Sequence, residues 1–233
     1  STTPALIQKV GGNSILTVDL LDGNRTFNVS NSNTLGAGIS EMLVSVPVTN
    51  GALTKTGSGT LELTSANTYA GGTTIDNGTL KVNNLSGSGT GTGAVAVNGI
   101  GTLAGNGILS GLVTVASGGT IAPGNSIGTI TVGMLTLAQD GIFEVEVAVP
   151  ADKVVTTGAS GQVVTINNAL INVIALNGIT AGQHLIIDQN SGADDVLGTF
   201  ANSTGIFGAG VWQYQVLYNV DSSLATDSGN DVY

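Results

Sequence analysis

Short alternations of apolar and polar residues recur along the chain and never lengthen into a helical period. Thr60-Leu61-Glu62-Leu63, Thr79-Leu80-Lys81-Val82, Ala94-Val95-Ala96-Val97, Leu112-Val113-Thr114-Val115 and Thr129-Ile130-Thr131-Val132 each place an aliphatic at every second position. That is the period of a half-buried strand. The stretch from Ile15 to Leu20, Leu135-Thr136-Leu137 and the run from Phe143 to Val147 extend the series. Asn50-Gly51, Asn77-Gly78, Asn98-Gly99, Asn177-Gly178, Asp22-Gly23 and Asp140-Gly141 predict tight turns that need positive φ. No i, i+3, i+4, i+7 apolar pattern is sustained, because 36 glycines interrupt nearly every window.

The spacing of these units points to an architecture. Gly78-Thr79-Leu80 returns as Gly101-Thr102-Leu103, and once more as Gly119-Thr120-Ile121. A loose repeat of roughly 20 residues marks a solenoid, in which each coil stacks on the last. A four-residue strand with one apolar face cannot stand alone, but stacked coils bury a continuous aliphatic column. Leu53, Leu61, Leu63, Ile75, Leu80 and Val82 are the expected inward residues of the stretch 51–82, and Gly57, Gly59, Gly71, Gly72 and Gly78 its corners. The alternative is a β-sandwich of hairpins, whose strands usually run longer and whose cores hold more aromatics. About ten coils would make a rod of roughly 50 Å.

Composition narrows the setting. Hydrophobic residues make up 41% of the 233, enough for a long core, while charged residues make up only 9%, against about 25% in ordinary soluble domains. Thr, Ser, Asn and Gly must therefore supply the wet surface, which suits an extracellular protein. The net charge of −10 makes nucleic acid a poor partner. With no cysteine, disulfides and thiolate sites are excluded. No apolar run is long enough for a membrane-spanning helix. Ser1-Thr2-Thr3-Pro4 does not read as a signal peptide, so a mature or excised segment is expected.

Residues 51–82 also resemble a known family. GALTKTGSGTLELTSANTYAGGTTIDNGTLKV is similar to the autotransporter-associated β-strand repeat, with Lys55, Gly57, Gly59, Leu61, Leu63, Asn67, Tyr69, Gly72, Thr73, Gly78 and Leu80 in register. Gly23 to Val29, the run from Gly118 to Thr129 and the tail Gly229 to Tyr233 resemble segments that accompany it. The resemblance implies a right-handed parallel β-helix on a bacterial surface, often the exported passenger of an autotransporter. Residues 1–233 contain no membrane barrel of their own, and the chain is expected to be either a passenger segment or a self-contained secreted subunit.

From about residue 140 the character changes. Ten of the 15 acids lie between Asp140 and Asp231, and Phe200, Phe207, Trp212, Tyr214 and Tyr218 gather five of the nine aromatics. Bare coil ends expose an apolar column and open edges, so solenoids need caps. We therefore divide the chain into coils over 1–139 and terminal coils plus a C-terminal β cap over 140–233, with Trp212, Tyr214 and Phe200 packing the cap. An exposed aromatic platform for carbohydrate is the rival reading.

Candidate chemistry is sparse. His184, the single histidine, lies in a turn with no Gly-x-Ser-x-Gly elbow to partner it. Glu144 and Glu146 share a strand face with Asp152 close behind, as glycosidase or lyase work would need, but only Lys153 is near in sequence and a solvated face is the simpler reading. Asp188, Asp194 and Asp195 leave a weak surface Ca²⁺ site open, without the calcium-stacking repeat or an EF-hand loop. The glycine run Gly87 to Gly93 lacks the strand-then-helix setting of a nucleotide loop and reads as a coil corner. No catalytic, cofactor-binding or metal residue is assigned. The expected function is a non-enzymatic stalk or adhesive element at the cell surface, with partners in neighbouring or host surfaces or in itself, end to end or laterally. A stand-alone subunit that assembles into a filament or layer comes second, and a polysaccharide-acting enzyme third.

Overall fold

The computed structural model describes residues 5–7, 16–32, 38–148, 150–158, 164–176, 186–189, 196–202, 204–207, 212–216, 218–220 and 231–232. Among these residues every regular element is a β-strand, and 18 strands join one sheet. The chain visits three parallel ladders in turn, which is a parallel β-helix.

In the first ladder, Asn24–Asn28 pairs with Ala52–Thr56, which pairs with the start of Thr73–Val82. The start of Val95–Gly105, the end of Ile108–Val115 and the end of Thr129–Leu137 follow, then Val164–Asn167 and Leu197–Thr199. The second ladder runs through Ala5–Ile7, Met42–Val44, Thr60–Leu63 and the ends of Thr73–Val82 and Val95–Gly105. It continues through Thr120–Pro123, Ile142–Val147 and Leu170–Ala175. The third ladder pairs Val18–Asp19 with Val48–Thr49 and resumes at Ile108, continuing through Thr131, Lys153–Thr156 and Ile187–Gln189.

The repeat read from sequence is the register itself. Leu80 stands opposite Leu103, and Leu103 opposite Ile121. The six aliphatics expected inside stretch 51–82 are each no more than 1% exposed, a burial of about 1.5–3 kcal/mol per side chain. Among the described residues eight rungs stand in the first ladder, about 34 Å from first to last at one strand spacing each, against the roughly 50 Å expected of ten coils. The shortfall comes from coil length: the coil that carries Thr165 to its partner Leu197 is far longer than the one from Val95 to Val113.

The turn dipeptides form corners between parallel rungs. Asn50 and Gly51 are both left-handed, at φ 57° and 63°. At Asp22-Gly23 and Asp140-Gly141 it is the aspartate that takes positive φ; Asn177-Gly178 lies outside the described residues. Gly78, at φ 66°, packs under the carbonyls of Gly57 and Gly59, where a Cβ has no room.

Toward the C-terminus, Phe200 is buried and stacks on Phe143, with ring centroids 6.1 Å apart. Thr204–Phe207 pairs antiparallel with Trp212–Gln215, and Asp231–Val232 pairs antiparallel with Ile187–Gln189 and Tyr218–Val220. The side chains of Trp212 and Tyr214 lie outside the described residues.

Candidate functional site

Two clusters of polar side chains have defined geometry. The first lies within the repeat. Lys55 is fully buried on the inward side of Ala52–Thr56. Its ammonium donates to the carbonyls of Thr56 (2.8 Å), Gly57 (2.7 Å) and Asn77 (3.1 Å). Burial pushes its pKa down to about 8, against the opposing pull of the Glu41 charge. Glu41 is itself penalised by burial, yet N–H bonds from Thr60 and Ser32 hold its carboxyl below the ordinary range. Tyr69 is also fully buried, its hydroxyl 2.7 Å from that of Thr73, and burial raises its pKa strongly.

Asparagines substitute for a missing strand. Between Val48–Thr49 and Ile108 no strand occupies the third ladder among the described residues. There the Val48 N–H donates to the Asn67 side-chain oxygen (2.8 Å), and the Asn67 amide donates to the Gly89 carbonyl. The Ile108 N–H donates to the Asn84 side-chain oxygen (2.9 Å), and the Asn84 amide donates to the carbonyls of Ser86 and Gly87. Both side chains are buried, so each replaces ladder bonds that irregular backbone would leave unmade.

The second cluster is a cleft of about 200 Å³ on the outer side of the second ladder. Ala104 and Ala122 are register partners there, and Pro123 to Ser126, Lys81, Glu144, Glu146 and Asp152 also line it. The three acids singled out in the sequence thus come together. Each carboxylate is engaged: Glu144 accepts from Asn172 (2.8 Å) and Glu146 from Ser126 (3.1 Å). Asp152 accepts the N–H groups of Gly128 and Glu146, both at 2.8 Å. Asp152 is only 2% exposed, and burial outweighs those two bonds to push its pKa up to about 6. It clamps the Pro123–Gly128 loop to the end of Ile142–Val147.

The simple solvated face expected for Glu144 and Glu146 is therefore refined, since both are partly buried and hydrogen-bonded. The cation of this cleft is Lys81, not Lys153, which is ion-paired with Asp188 at 2.7 Å. Sequence distance hides Lys81, which stands three rungs from Glu144 in the same outward column, with Ala104 and Ala122 between them. The pairing also engages one of the three aspartates considered for Ca²⁺; Asp194, Asp195 and His184 lie outside the described residues. No group of three His, Cys, Asp or Glu that could hold a metal occurs among the described residues. Gly87 to Gly93 forms bends and turns with Gly87 and Gly91 at positive φ, and leads into a strand.

Comparison with known proteins fits this geometry. Residues 53–82 match the passenger-associated-transport-repeat, so the chain carries the autotransporter-type repeat that its residues resemble. A 95-residue stretch is 38% identical to a Serratia marcescens protein named "Extracellular serine protease". That stretch is 41% of this chain and 8% of the relative's length.

Proposed function

We propose that the chain is a passenger-like structural segment of an exported bacterial surface protein, a non-enzymatic β-helical stalk that presents its outer faces to other surfaces. The observation that carries this reading is the chemistry of the repeat. Lys55, Asn67, Tyr69 and Thr73 are turned inward and bonded to the chain's own atoms, so the polar residues that mark the repeat serve its rigidity. Asp152, buried with both oxygens accepting main-chain N–H groups, supports the non-enzymatic part, because a general acid or base needs an oxygen that can reach substrate. The extracellular name of the Serratia marcescens relative supports export. The antiparallel pairs after residue 186 support a capping role for the C-terminal region, since antiparallel strands end a parallel ladder.

The same relative favours a second reading, in which the helix is the stalk of a larger protein whose other parts are enzymatic. Antibody raised against the chain should label intact cells that express its full natural gene, and brief external proteolysis should remove the label. Label that appears only after the envelope is permeabilised would refute a surface role.

A further inference from the structure

Three Asn-Gly corners lie among the described residues, and they differ in how tightly the backbone is held. At Asn50-Gly51 the Gly51 carbonyl accepts the Gly71 N–H, and the Ala52 N–H donates to Gly23. At Asn77-Gly78 the Asn77 carbonyl accepts the Lys55 ammonium, and the two residues stand in register with Ile100 and Gly101. A Cβ at Gly51 or Gly78 would collide with the carbonyl oxygen of Gly23 or Gly57. Asn98-Gly99 is different. Pairing with the previous coil jumps from Val97, opposite Ile75, to Ile100, opposite Asn77, so Asp76 alone faces both Asn98 and Gly99. That is a bulge. Toward the next coil the register stops at Val97 and Val115 and resumes at Thr102 and Thr120. Asn98 is half-buried and Gly99 exposed, and the atom nearest to a Cβ at Gly99 would be the Asp76 carbonyl oxygen, 3.6 Å away.

We propose that Asn98 is a self-modifying site, converted without an enzyme to aspartate and isoaspartate. The main-chain nitrogen of Gly99 attacks Cγ of Asn98 and gives up its proton to solvent as the new bond forms. The bond from Cγ to Nδ2 breaks, and that nitrogen takes a proton from water and leaves as ammonia. Water then opens the five-membered imide. Attack at Cγ restores the main chain with aspartate, and attack at the main-chain carbonyl carbon of residue 98 leaves isoaspartate. One water is consumed, one ammonia is released, and nothing is oxidised or reduced. Glycine favours the attack because no Cβ shields its nitrogen. The reacting atoms must come within about 3–3.5 Å in the right alignment, so the corner has to move. A bulge leaves its extra residue outside the ladder, which gives that freedom, and exposure gives the water. Asp76 gives the product a consequence. The Asn98 amide now donates to the Asp76 carboxylate at 3.1 Å, whereas a carboxylate at 98 cannot donate and repels its neighbour. The change adds one negative charge to a chain already at −10.

Ageing the folded chain in mildly alkaline buffer tests this, with peptide mass spectrometry reading amide-to-acid conversion and enzymatic methylation reporting isoaspartate. Asn98 should convert about ten-fold or more faster than Asn50 or Asn77, since only its corner can reach the attacking geometry. In urea the three should convert at similar rates, because the selection lies in the fold. Anion exchange should resolve a more acidic aged form that co-elutes with Asn98→Asp. Asn98→Gln, whose longer side chain closes its ring slowly, should lack that form, with circular dichroism checking that it is folded. The assignment is overturned if Asn98 stays intact in the folded chain while it converts in urea, or if Asn50 or Asn77 converts as fast in the folded chain. The same preference persisting in urea, or an aged form that survives in Asn98→Gln, overturns it as well. Each of those results leaves the surface-labelling experiment, and hence the proposed function, standing.

Discussion

The ammonium of Lys55 donates to the main-chain carbonyl of Asn77 in the next coil, 3.1 Å away. With the Thr56 and Gly57 carbonyls, it ties together two left-handed corners, at Gly57 and Gly78. Lys55→Met keeps the apolar stem and removes the donor. With about 1–3 kcal/mol for each buried group left unsatisfied and some relaxation, a loss of about 3 kcal/mol is expected. Urea denaturation of the variant against the wild type measures it.

The same residue makes stability depend on pH. Its pKa falls from 10.5 to about 8 on folding, because burial disfavours the charged form. Between those values the unfolded chain binds more protons than the folded one, so the contribution of Lys55 to stability rises with pH across that window. Unfolding free energies below, within and above the window should rise in the wild type and show a shallower slope in Lys55→Met.

Asp152 works in the opposite sense. Its pKa is raised from 3.8 to about 6 by burial, so the folded chain binds more protons in that interval and its contribution falls as pH rises through it. Asp152→Asn should flatten this local dependence. It should also destabilise the chain at neutral pH by about 1–3 kcal/mol, because an amide cannot accept both N–H bonds without turning a donor toward one of them. Denaturation of the pair across the acidic range checks both statements.

Two glycines separate backbone strain from steric conflict. Gly38 has φ +80° with nothing within 4 Å of where a Cβ would stand, whereas at Gly78, φ +66°, a Cβ would lie 2.4 Å from the Gly57 carbonyl oxygen. Gly38→Ala should cost about 1–2 kcal/mol, the left-handed penalty alone. Gly78→Ala should cost clearly more, about 3 kcal/mol or above, since backbone of the adjoining coil must move. Thermal melting of the two variants gives the comparison.

The rungs are legible in the sequence because a strand's period and a coil's length are both linear patterns. Thr79-Leu80 and Thr102-Leu103 repeat as text and pair as neighbours. The inner aliphatics follow from the same alternation. Lys55, Asn67 and Asn84 are not legible as interior groups, because a polar residue at an inward position is assigned to the core only when its partners are known. Those partners include main-chain atoms of neighbouring coils, remote in sequence. Lys81 escapes notice at the acidic cleft for a related reason: its place in the same outward column as Glu144 depends on summing three unequal coils. The described rungs span less than the expected rod because the coils toward either end lengthen where the repeat text fades, as from Asn24 to Ala52 and from Thr165 to Leu197.

The central claim is that residues one coil apart stack side by side in parallel, and the absence of native cysteine allows a direct measurement. Thr79 and Thr102 are outward partners on adjacent rungs, as are Thr102 and Thr120. Cysteines at either pair should therefore sit about 5 Å apart at Cα and oxidise to a disulfide in the folded chain. Cysteines at Thr79 and Thr120, two rungs and about 10 Å apart, should not. Efficient bridging of both adjacent pairs with none for the distant pair is the predicted result. Failure of the adjacent pairs to close, or ready closure of Thr79 with Thr120, would contradict a stacked coil.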